Sequence, residues 1–195
     1  NRGLNLAQQE IKRLESKYSR FLDTSDLSKI NQAAGIQATS VDAETAGLLN
    51  YAALCFEQSD GLFDISSGAL SKLWDFKSNK IPTQKQIDAQ LNQVGFDKIT
   101  WDGDSIYLPA GMQIDFGGVV KEHAADCAQK ILLNAGIQHG LVDLAGDMAV
   151  VGSKPNDEPW QIGVRDPENP SKPISFIPLH QGAIATSGYY ERYMK

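Results

Sequence analysis

The sequence predicts a single domain in which helices pack on a mixed sheet, a fold of the α/β or α+β class. Two patterns indicate it. Apolar residues recur at helical spacing from Leu4 to Phe56, and short apolar runs typical of strands follow Gly136. The composition, 42% hydrophobic and 22% charged over 195 residues, is that of an ordinary globular domain. No linker, repeat or low-complexity segment interrupts the chain, so we predict one domain over residues 1–195.

The N-terminal segment predicts an amphipathic helix. Its apolar residues recur at three-, four- and seven-residue spacing, with charges between them, and are expected to form one apolar face of a helix that covers the surface: Leu4, Ile11, Leu14, Tyr18 and Phe21. Any of the next polar residues, from Asp23 to Asp26, is a good N-cap for a short helical turn that ends at Gly35. A second helix is predicted from Asp42 to about Ser59, with a buried face that comprises Ala46, Leu49, Ala53 and Phe56.

The middle of the chain is less regular. The stretch "DGLFDISSGALSKLWDF", residues 60–76, has no clear period, and irregular segments inside a domain often line functional sites. Thr83 is placed to cap a short helix that runs through Val94. The stretch "DKITWDGDSIYL" predicts a hairpin with Asp102 and Gly103 in its turn.

The stretch "MQIDFGGVVKEHAADCAQKILLNAG", residues 112–136, predicts a short strand, a glycine turn and then a helix. The helix is expected to end between Asn134 and Gly136, because glycine is a common residue just past a helix C-terminus. Four strand-like runs follow, and the prolines after Gly136 fall in the connections between them, where sheets tolerate proline.

Charge, hydropathy and cysteine content exclude several classes of protein. A net charge of −6 argues against a nucleic-acid partner, which requires a clustered positive face. No apolar run approaches the roughly 18 residues of a membrane span, so we predict no transmembrane segment in this chain. Two cysteines, Cys55 and Cys127, are too few for a disulfide scaffold, and we expect both to be small buried side chains.

The glycine turn has two interpretations, which the residues alone leave open. Gly117 and Gly118 allow strained dihedrals and close approach to a ligand, and the following helix start offers free N–H donors. Lys121 opposes the helix dipole there, a conflict that a bound phosphate would remove. A structural turn remains equally compatible with the pattern. Asp115 is expected to be a cap-like acceptor, a ligand hydrogen-bond partner or a metal-associated carboxylate, and Glu122 a solvated carboxylate.

Metal chemistry is expected from carboxylates rather than from histidine. We find no other His or Cys at metal-ligand spacing from His123, which argues against zinc. Hard oxygen ligands suit Mg²⁺ when a phosphate substrate completes the shell, and four aspartates are candidates: Asp64, Asp115, Asp143 and Asp147.

Several blocks, in order along nearly the whole chain, resemble those of the ApbE family, the FAD:protein FMN transferases. They are "YSRFLDTSDLSKIN", "DGLFDISSGALSKLWDF", "DFGGVVKEHAAD", "GLVDLAGDMAVVG", "PWQIGVRDP" and "AIATSGYYERY". The resemblance implies an enzyme that uses Mg²⁺ to split the pyrophosphate of FAD. FMN then passes to a threonine or serine hydroxyl of an acceptor protein, and AMP is released.

The resemblance also implies particular site residues. Phe21 corresponds to an aromatic that packs against the flavin nucleotide, and Leu62, Phe63 and Asp64 fall in the FAD-binding "GLFD" block. Asp115 and Lys121 fall at nucleotide-contacting positions. Gly118 falls where a backbone carbonyl ligates the metal. No catalytic base is identified.

Further consequences follow from the resemblance. The family's first strand would precede Asn1, and blocks that complete its metal shell would follow Lys195, so we expect a longer full-length protein. The resemblance implies a location on the periplasmic side of the inner membrane, where many members are lipid-anchored. Two alternatives stay open: a pyrophosphatase that yields FMN and AMP, and a flavin-binding module without catalysis.

Overall fold

The computed structural model describes residues 2–74, 81–169 and 171–188, and these form two compact units. We call residues 15–120 the central unit, and residues 2–14 together with 121–188 the sheet unit. Helices and antiparallel strand pairs make up both, which confirms the predicted class; every strand pair among these residues is antiparallel. The assignment of 1–195 to one domain stays a prediction. None of the helices in these ranges is both long and apolar enough to cross a bilayer.

Helix α1, Arg2–Tyr18, buries two of the residues predicted on its apolar face, Leu14 and Tyr18, and Ile11 is partly buried. Its buried positions are Gly3, Ala7, Leu14 and Tyr18, whereas Leu4 is 56% exposed. Gly3 and Ala7 continue the three- and four-residue spacing of the buried positions, so the row of buried residues on the helix passes beside Leu4. Phe21 lies beyond the helix end and is 80% exposed, so its expected place on the apolar face of the helix was wrong.

Two capped helices follow in the central unit. Ser25 caps α2, Asp26–Gln32, by accepting the N–H of Ser28 at 3.0 Å. Asp42 caps α3, Ala43–Gln58, whose C-cap is Ser59, as predicted. The buried face of α3 is rotated from the predicted one: Leu49 is buried, but Ala46, Ala53 and Phe56 are only half-buried. The interior positions are Thr45, Leu48, Leu49 and Ala52.

The remainder of the central unit is built from short elements. A 3-10 helix, Ile65–Lys72, occupies the aperiodic stretch, and a capping box at Thr83 begins α4, Gln84–Leu91. A second 3-10 helix, Phe96–Lys98, precedes the predicted hairpin. One antiparallel sheet has the order β1-β3-β2, with β1 at Thr39–Ser40, β2 at Thr100–Trp101 and β3 at Ser105–Tyr107.

The strand predicted at the start of the 112–136 stretch is absent, since residues 112–116 are extended without a ladder. The side-chain amide of Asn31 takes the place of a neighbouring strand. It donates to the carbonyl of Ile114 at 2.9 Å and accepts the N–H of Ile114 at 2.8 Å. The next N–H, that of Asp115, donates to the carbonyl of Ile65 at 2.8 Å. The backbone is thereby satisfied without a strand partner.

The sheet unit contains most of α5, Val120–Asn134, and two antiparallel sheets. Helix α5 ends at the predicted stop, where Gly136 has φ +78°. One sheet has the order β4-β5-β8, and the other pairs β6 with β7. The strand bounds are β4 Gly140–Leu144, β5 Asp147–Gly152, β6 Trp160–Arg165, β7 Pro173–Leu179 and β8 Ala183–Ile184. A short 3-10 turn, Pro155–Asp157, precedes β6.

A small-residue core joins these elements of the sheet unit. Alanines of α1 and α5 pack against inward-facing residues of β4 and β5, and the buried set is Ala7, Ala125, Ala128, Leu132, Val142, Ala149 and Val151. Cys127 in α5 is half-buried, as is Cys55 in α3, so the expectation that both are buried was wrong.

Candidate functional site

Two clefts lie side by side in the central unit. The first has a volume of about 460 Å³ and the second about 570 Å³, both within the range of small-molecule sites. Four residues line both clefts and so form a shared wall: Arg20, Gly68, Ser71 and Asp115. This shared wall is built from the segment after α1, the 3-10 helix Ile65–Lys72 and the loop before α5.

Arg20 and Phe21 stand together at the first cleft. The guanidinium carbon of Arg20 lies 4.8 Å from the centroid of the Phe21 ring, a cation–π geometry. Its Nη1 lies 3.2 Å from Oδ2 of Asp115. Sequence reasoning identified Phe21 and missed Arg20, although Arg20 directly precedes Phe21 in "YSRFLDTSDLSKIN".

Asp115 acts as a local acceptor, the first of its three expected roles. Its Oδ1 accepts the N–H of Gly117 at 2.8 Å, which fixes the turn that leads into α5. Its Oδ2 faces Arg20. The side chains of Arg20 and Asp115 are 37% and 27% exposed, and exposed ion pairs contribute only about 0–1 kcal/mol. The Arg20–Asp115 pair is therefore easily exchanged for a stronger partner.

Two glycines allow the walls of the second cleft to approach closely. A Cβ at Gly68 would lie 2.9 Å from the carbonyl carbon of Ile114, and one at Gly118 would lie 2.9 Å from Cε2 of Phe63. Neither Gly117 nor Gly118 has a positive φ, so the expectation of strained dihedrals there was wrong. Gly68 requires the absence of a side chain because a Cβ there would meet backbone, whereas a Cβ at Gly118 would meet only the ring of Phe63.

Asp64 accepts two backbone hydrogen bonds at the second cleft. Its Oδ1 accepts the N–H of Ser66 at 2.8 Å, and its Oδ2 accepts the N–H of Phe96 at 3.0 Å. It is thus the N-cap of the 3-10 helix that follows. Leu62, 91% exposed, and the half-buried Phe63 line the cleft beside Asp64, and so does Trp74.

Lys121 lies in the sheet unit, at the start of α5. Its Nζ lies 2.6 Å from Oδ2 of Asp147, whose side chain is only 5% exposed. The other oxygen of Asp147 accepts the N–H of Thr186 at 3.0 Å, and the Thr186 hydroxyl donates to the carbonyl of Gly146 at 3.1 Å. Asp147 therefore neutralises the positive charge of Lys121, for which the sequence pattern had suggested a bound phosphate as partner.

The two clefts bring together every predicted site residue except Lys121. Phe21 and Asp115 line the first cleft, and Leu62, Phe63, Asp64, Asp115 and Gly118 line the second. Their assignment to FAD or to a metal stays a prediction.

The four candidate aspartates do not build a metal site from side chains alone. Both carboxylate oxygens of Asp64 accept backbone N–H groups. One oxygen of Asp147 pairs with Lys121 and the other accepts a backbone N–H. Asp143 accepts the N–H of Gly146 at 2.8 Å. In the part of the chain that the structure describes, no three His, Cys, Asp or Glu side chains gather at one point. In this part of the chain, a Mg²⁺ ion would depend on oxygens of a phosphate ligand, of water and of the backbone. The backbone carbonyl of Gly118 remains the predicted protein ligand.

Two expectations for the start of α5 were wrong. Cys127 does stand at metal-ligand spacing from His123, one helical turn on, with its Sγ 3.5 Å from Nε2 of His123. Glu122 is not a solvated carboxylate, because its Oε2 is buried and has no hydrogen-bond partner among the residues of 2–74, 81–169 and 171–188.

Comparisons with known proteins agree on one family. An FAD:protein FMN transferase of Treponema pallidum is 29% identical over 204 residues, which cover 95% of this chain and 56% of that protein. The relative from Rhodobacter capsulatus with the same name is 32% identical over 177 residues, covering 86% of this chain and 33% of its own length. The chain thus spans little more than half of the first of these relatives.

Solved structures share the fold. The crystal structure of the ApbE protein of Thermotoga maritima superposes with a TM-score of 0.90 at 33% identity, covering 97% of this chain and 63% of that one. The flavin transferase ApbE of Vibrio cholerae gives a TM-score of 0.83 at 24% identity, covering 95% and 63%. The model of the ApbE family matches residues 4–195, and the chain therefore belongs to the ApbE family.

Proposed function

We propose that this chain forms the FAD-binding part of an FAD:protein FMN transferase. The enzyme attaches FMN to a threonine or serine of an acceptor protein and releases AMP. Family membership and the names of its relatives support the reaction. The observation that carries the proposal is the second cleft, whose lining combines the apolar side chains of Leu62, Phe63 and Trp74 with the backbone at Gly117 and Gly118. Apolar surface beside polar backbone suits a flavin nucleotide.

The proposed reaction exchanges the phosphoanhydride bond of the pyrophosphate for a phosphoester. The acceptor hydroxyl oxygen forms a bond to the phosphorus on the FMN side of the pyrophosphate. The bond from that phosphorus to the bridging oxygen breaks, AMP leaves with that oxygen, and the hydroxyl proton passes to a base or to solvent. Phosphoryl transfer of this kind requires positioning and charge neutralisation more than covalent participation by the protein.

The residues of the clefts supply the positioning. Phe21, Leu62 and Phe63 offer apolar surface on which flat rings pack. Asp115, fixed by Gly117, offers an acceptor oxygen to a ligand N–H or hydroxyl. Mg²⁺, when bound, supplies neutralisation of phosphate oxygens. The described side chains alone do not hold it, so we assign it no step.

The test uses the full-length gene product with FAD, Mg²⁺ and a peptide that carries a threonine. We expect a peptide heavier by one FMN, together with free AMP. Asp115→Asn is expected to reduce the yield, whereas Asp88→Asn, an exposed aspartate on α4, serves as the matched control. Free FMN and AMP beside an unmodified peptide would instead indicate a pyrophosphatase, and intact FAD would indicate a binding module.

We also propose that the protein works on the periplasmic side of the inner membrane, in keeping with the family resemblance. Cell fractionation followed by immunoblotting tests this, and recovery of the protein in the cytoplasmic fraction alone would contradict it.

A further inference from the structure

We infer that Cys127 is a reactive thiol, activated by His123, and that it is a site of reversible modification by small disulfides. Both residues belong to α5 in the sheet unit, and neither lines one of the two clefts. The inference goes beyond the proposed function and does not depend on it, because the chemistry requires neither FAD nor a metal ion.

The two side chains form a pair along one face of the helix, which we call the His123–Cys127 pair. Residues four positions apart project from the same face of a helix. The Sγ of Cys127 lies 3.5 Å from Nε2 of His123. With its ring proton on Nδ1, a neutral imidazole offers Nε2 as an acceptor for the thiol proton. The pair is therefore arranged as a nucleophile with an adjacent base.

The surroundings of the pair favour a reaction of the thiol over a metal site. Both side chains are half-buried, and reactive cysteines are partly exposed, whereas structural cysteines are buried and inert. Among residues 2–74, 81–169 and 171–188, no third His, Cys, Asp or Glu joins them in a group that could hold a metal. A nucleophilic thiol requires only the base.

The proposed step is thiol–disulfide exchange. Nε2 of His123 takes the proton of the Cys127 thiol, and the thiolate sulfur forms a bond to one sulfur of the disulfide. The S–S bond of the reagent breaks, and its second sulfur leaves as a thiolate that takes the proton from the imidazolium. Cys127 is thereby oxidised to a mixed disulfide, and the other half of the reagent is reduced to a thiol. An added thiol reverses the step.

Cys55 provides an internal comparison. It is also half-buried and lies within a helix, α3 of the central unit. The three histidines of the chain, at 123, 139 and 180, all lie outside residues 15–120 of that unit. An ordinary thiol is only a few per cent thiolate at neutral pH, so a base in contact with the thiol can raise its rate by about tenfold.

The experiment treats the purified protein with glutathione disulfide and follows the addition of glutathione at each cysteine by peptide mass spectrometry. We expect Cys127 to react about tenfold faster than Cys55 in the folded protein. In urea, where the helix contact is lost, the two rates should become similar. His123→Gln keeps a polar side chain without a base, and it should slow Cys127 about tenfold and leave Cys55 unchanged.

The matched control is His139→Gln, which removes a histidine whose Nδ1 contacts the carbonyl of Ser153, and it should change neither rate. Equal rates at Cys55 and Cys127 in the folded parent would overturn the inference without the use of any variant. Unchanged reactivity of Cys127 in His123→Gln, shown to be folded by circular dichroism, would also overturn it, since exposure alone would then explain the rate. So would a rate difference that persisted in urea.

Discussion

At the scale of single residues, side chains take over hydrogen bonds that a sheet would otherwise provide. Asn31 pairs with both backbone groups of Ile114, and Asp64 accepts two backbone N–H groups from different segments. These contacts hold the loops around the clefts in one arrangement. Side-chain hydrogen bonds thus replace regular structure around the clefts.

Replacement of Asn31 should destabilise the central unit strongly. In Asn31→Ala, the N–H and C=O of Ile114, a residue only 1% exposed, lose their partners. We expect a loss of about 2–4 kcal/mol in the free energy of unfolding, measured by urea denaturation. Gln32→Ala, at the exposed neighbouring position, is the control and should change it by less than about 0.5 kcal/mol. Equal effects of the two variants would contradict this role of Asn31.

The Lys121–Asp147 pair should behave as a coupled unit. Lys121→Met leaves the carboxylate of Asp147, 5% exposed, without its cation, and we expect a loss of about 1–3 kcal/mol in stability. In the Asp147→Asn background the same substitution should have a smaller effect. A double-mutant cycle with urea denaturation measures this coupling. Additive effects, or an equal loss from Lys130→Met on the exposed face of α5, would contradict it.

At the scale of elements, local signals predicted the helices well. Each predicted helix boundary depends on a residue at that boundary: Asp42 and Thr83 cap the starts of α3 and α4, and Gly136 follows the end of α5. Such boundaries can be predicted from the adjacent sequence. The prediction of a strand at 112–116 was wrong for the opposite reason. Its backbone partner is a side chain 83 positions away, which no local period reveals.

The start of α3 should give the central unit an acid-sensitive contribution to stability. The hydrogen bond from Lys17, with that from the Thr45 N–H, lowers the pKa of Asp42 from 3.8 to about 2. A carboxyl whose pKa is lowered in the folded state stabilises the fold above its ordinary pKa and loses that contribution as pH falls. The loss should therefore occur between about pH 4 and pH 2.

Asp42→Asn isolates that contribution, because asparagine still caps a helix but carries no charge. Asp42 is 58% exposed, so we expect the variant to lose only about 1 kcal/mol or less at neutral pH. The difference from the parent should vanish near pH 2. Unfolding free energies measured across this range check the expectation, and a difference that persists at pH 2 would contradict it.

Two glycines with open surroundings should respond to alanine with opposite signs. A Cβ added at Gly47 or at Gly103 would have open space around it to 4 Å, but Gly103 has φ +101° in the β2–β3 turn. Gly47→Ala should stabilise α3 by about 0.5–1 kcal/mol, because alanine is the better helix former. Gly103→Ala should destabilise the hairpin. Thermal melting compares the two, and a shift of the same sign in both would contradict this explanation.

At the scale of the whole molecule, the sequence predicted the family and several cleft residues, including Asp115 of the shared wall, but not Arg20 or Gly68 as site residues. Phe21, Phe63 and Asp115 stand inside blocks that resemble the family, and all line the clefts. Arg20 and Gly68 acquire their importance only from residues distant in sequence, since Arg20 pairs with Asp115 and Gly68 packs on the backbone of Ile114. Patterns along the chain do not contain such contacts.

Hydrogen exchange with and without FAD, read by mass spectrometry, tests most directly the claim that these clefts bind the dinucleotide. We expect added protection in three of the segments that line them, residues 19–23, 61–71 and 113–118. The surface of α4, Gln84–Leu91, is the internal control and should exchange equally in both states. Protection that spared all three segments while FAD bound elsewhere would contradict the account.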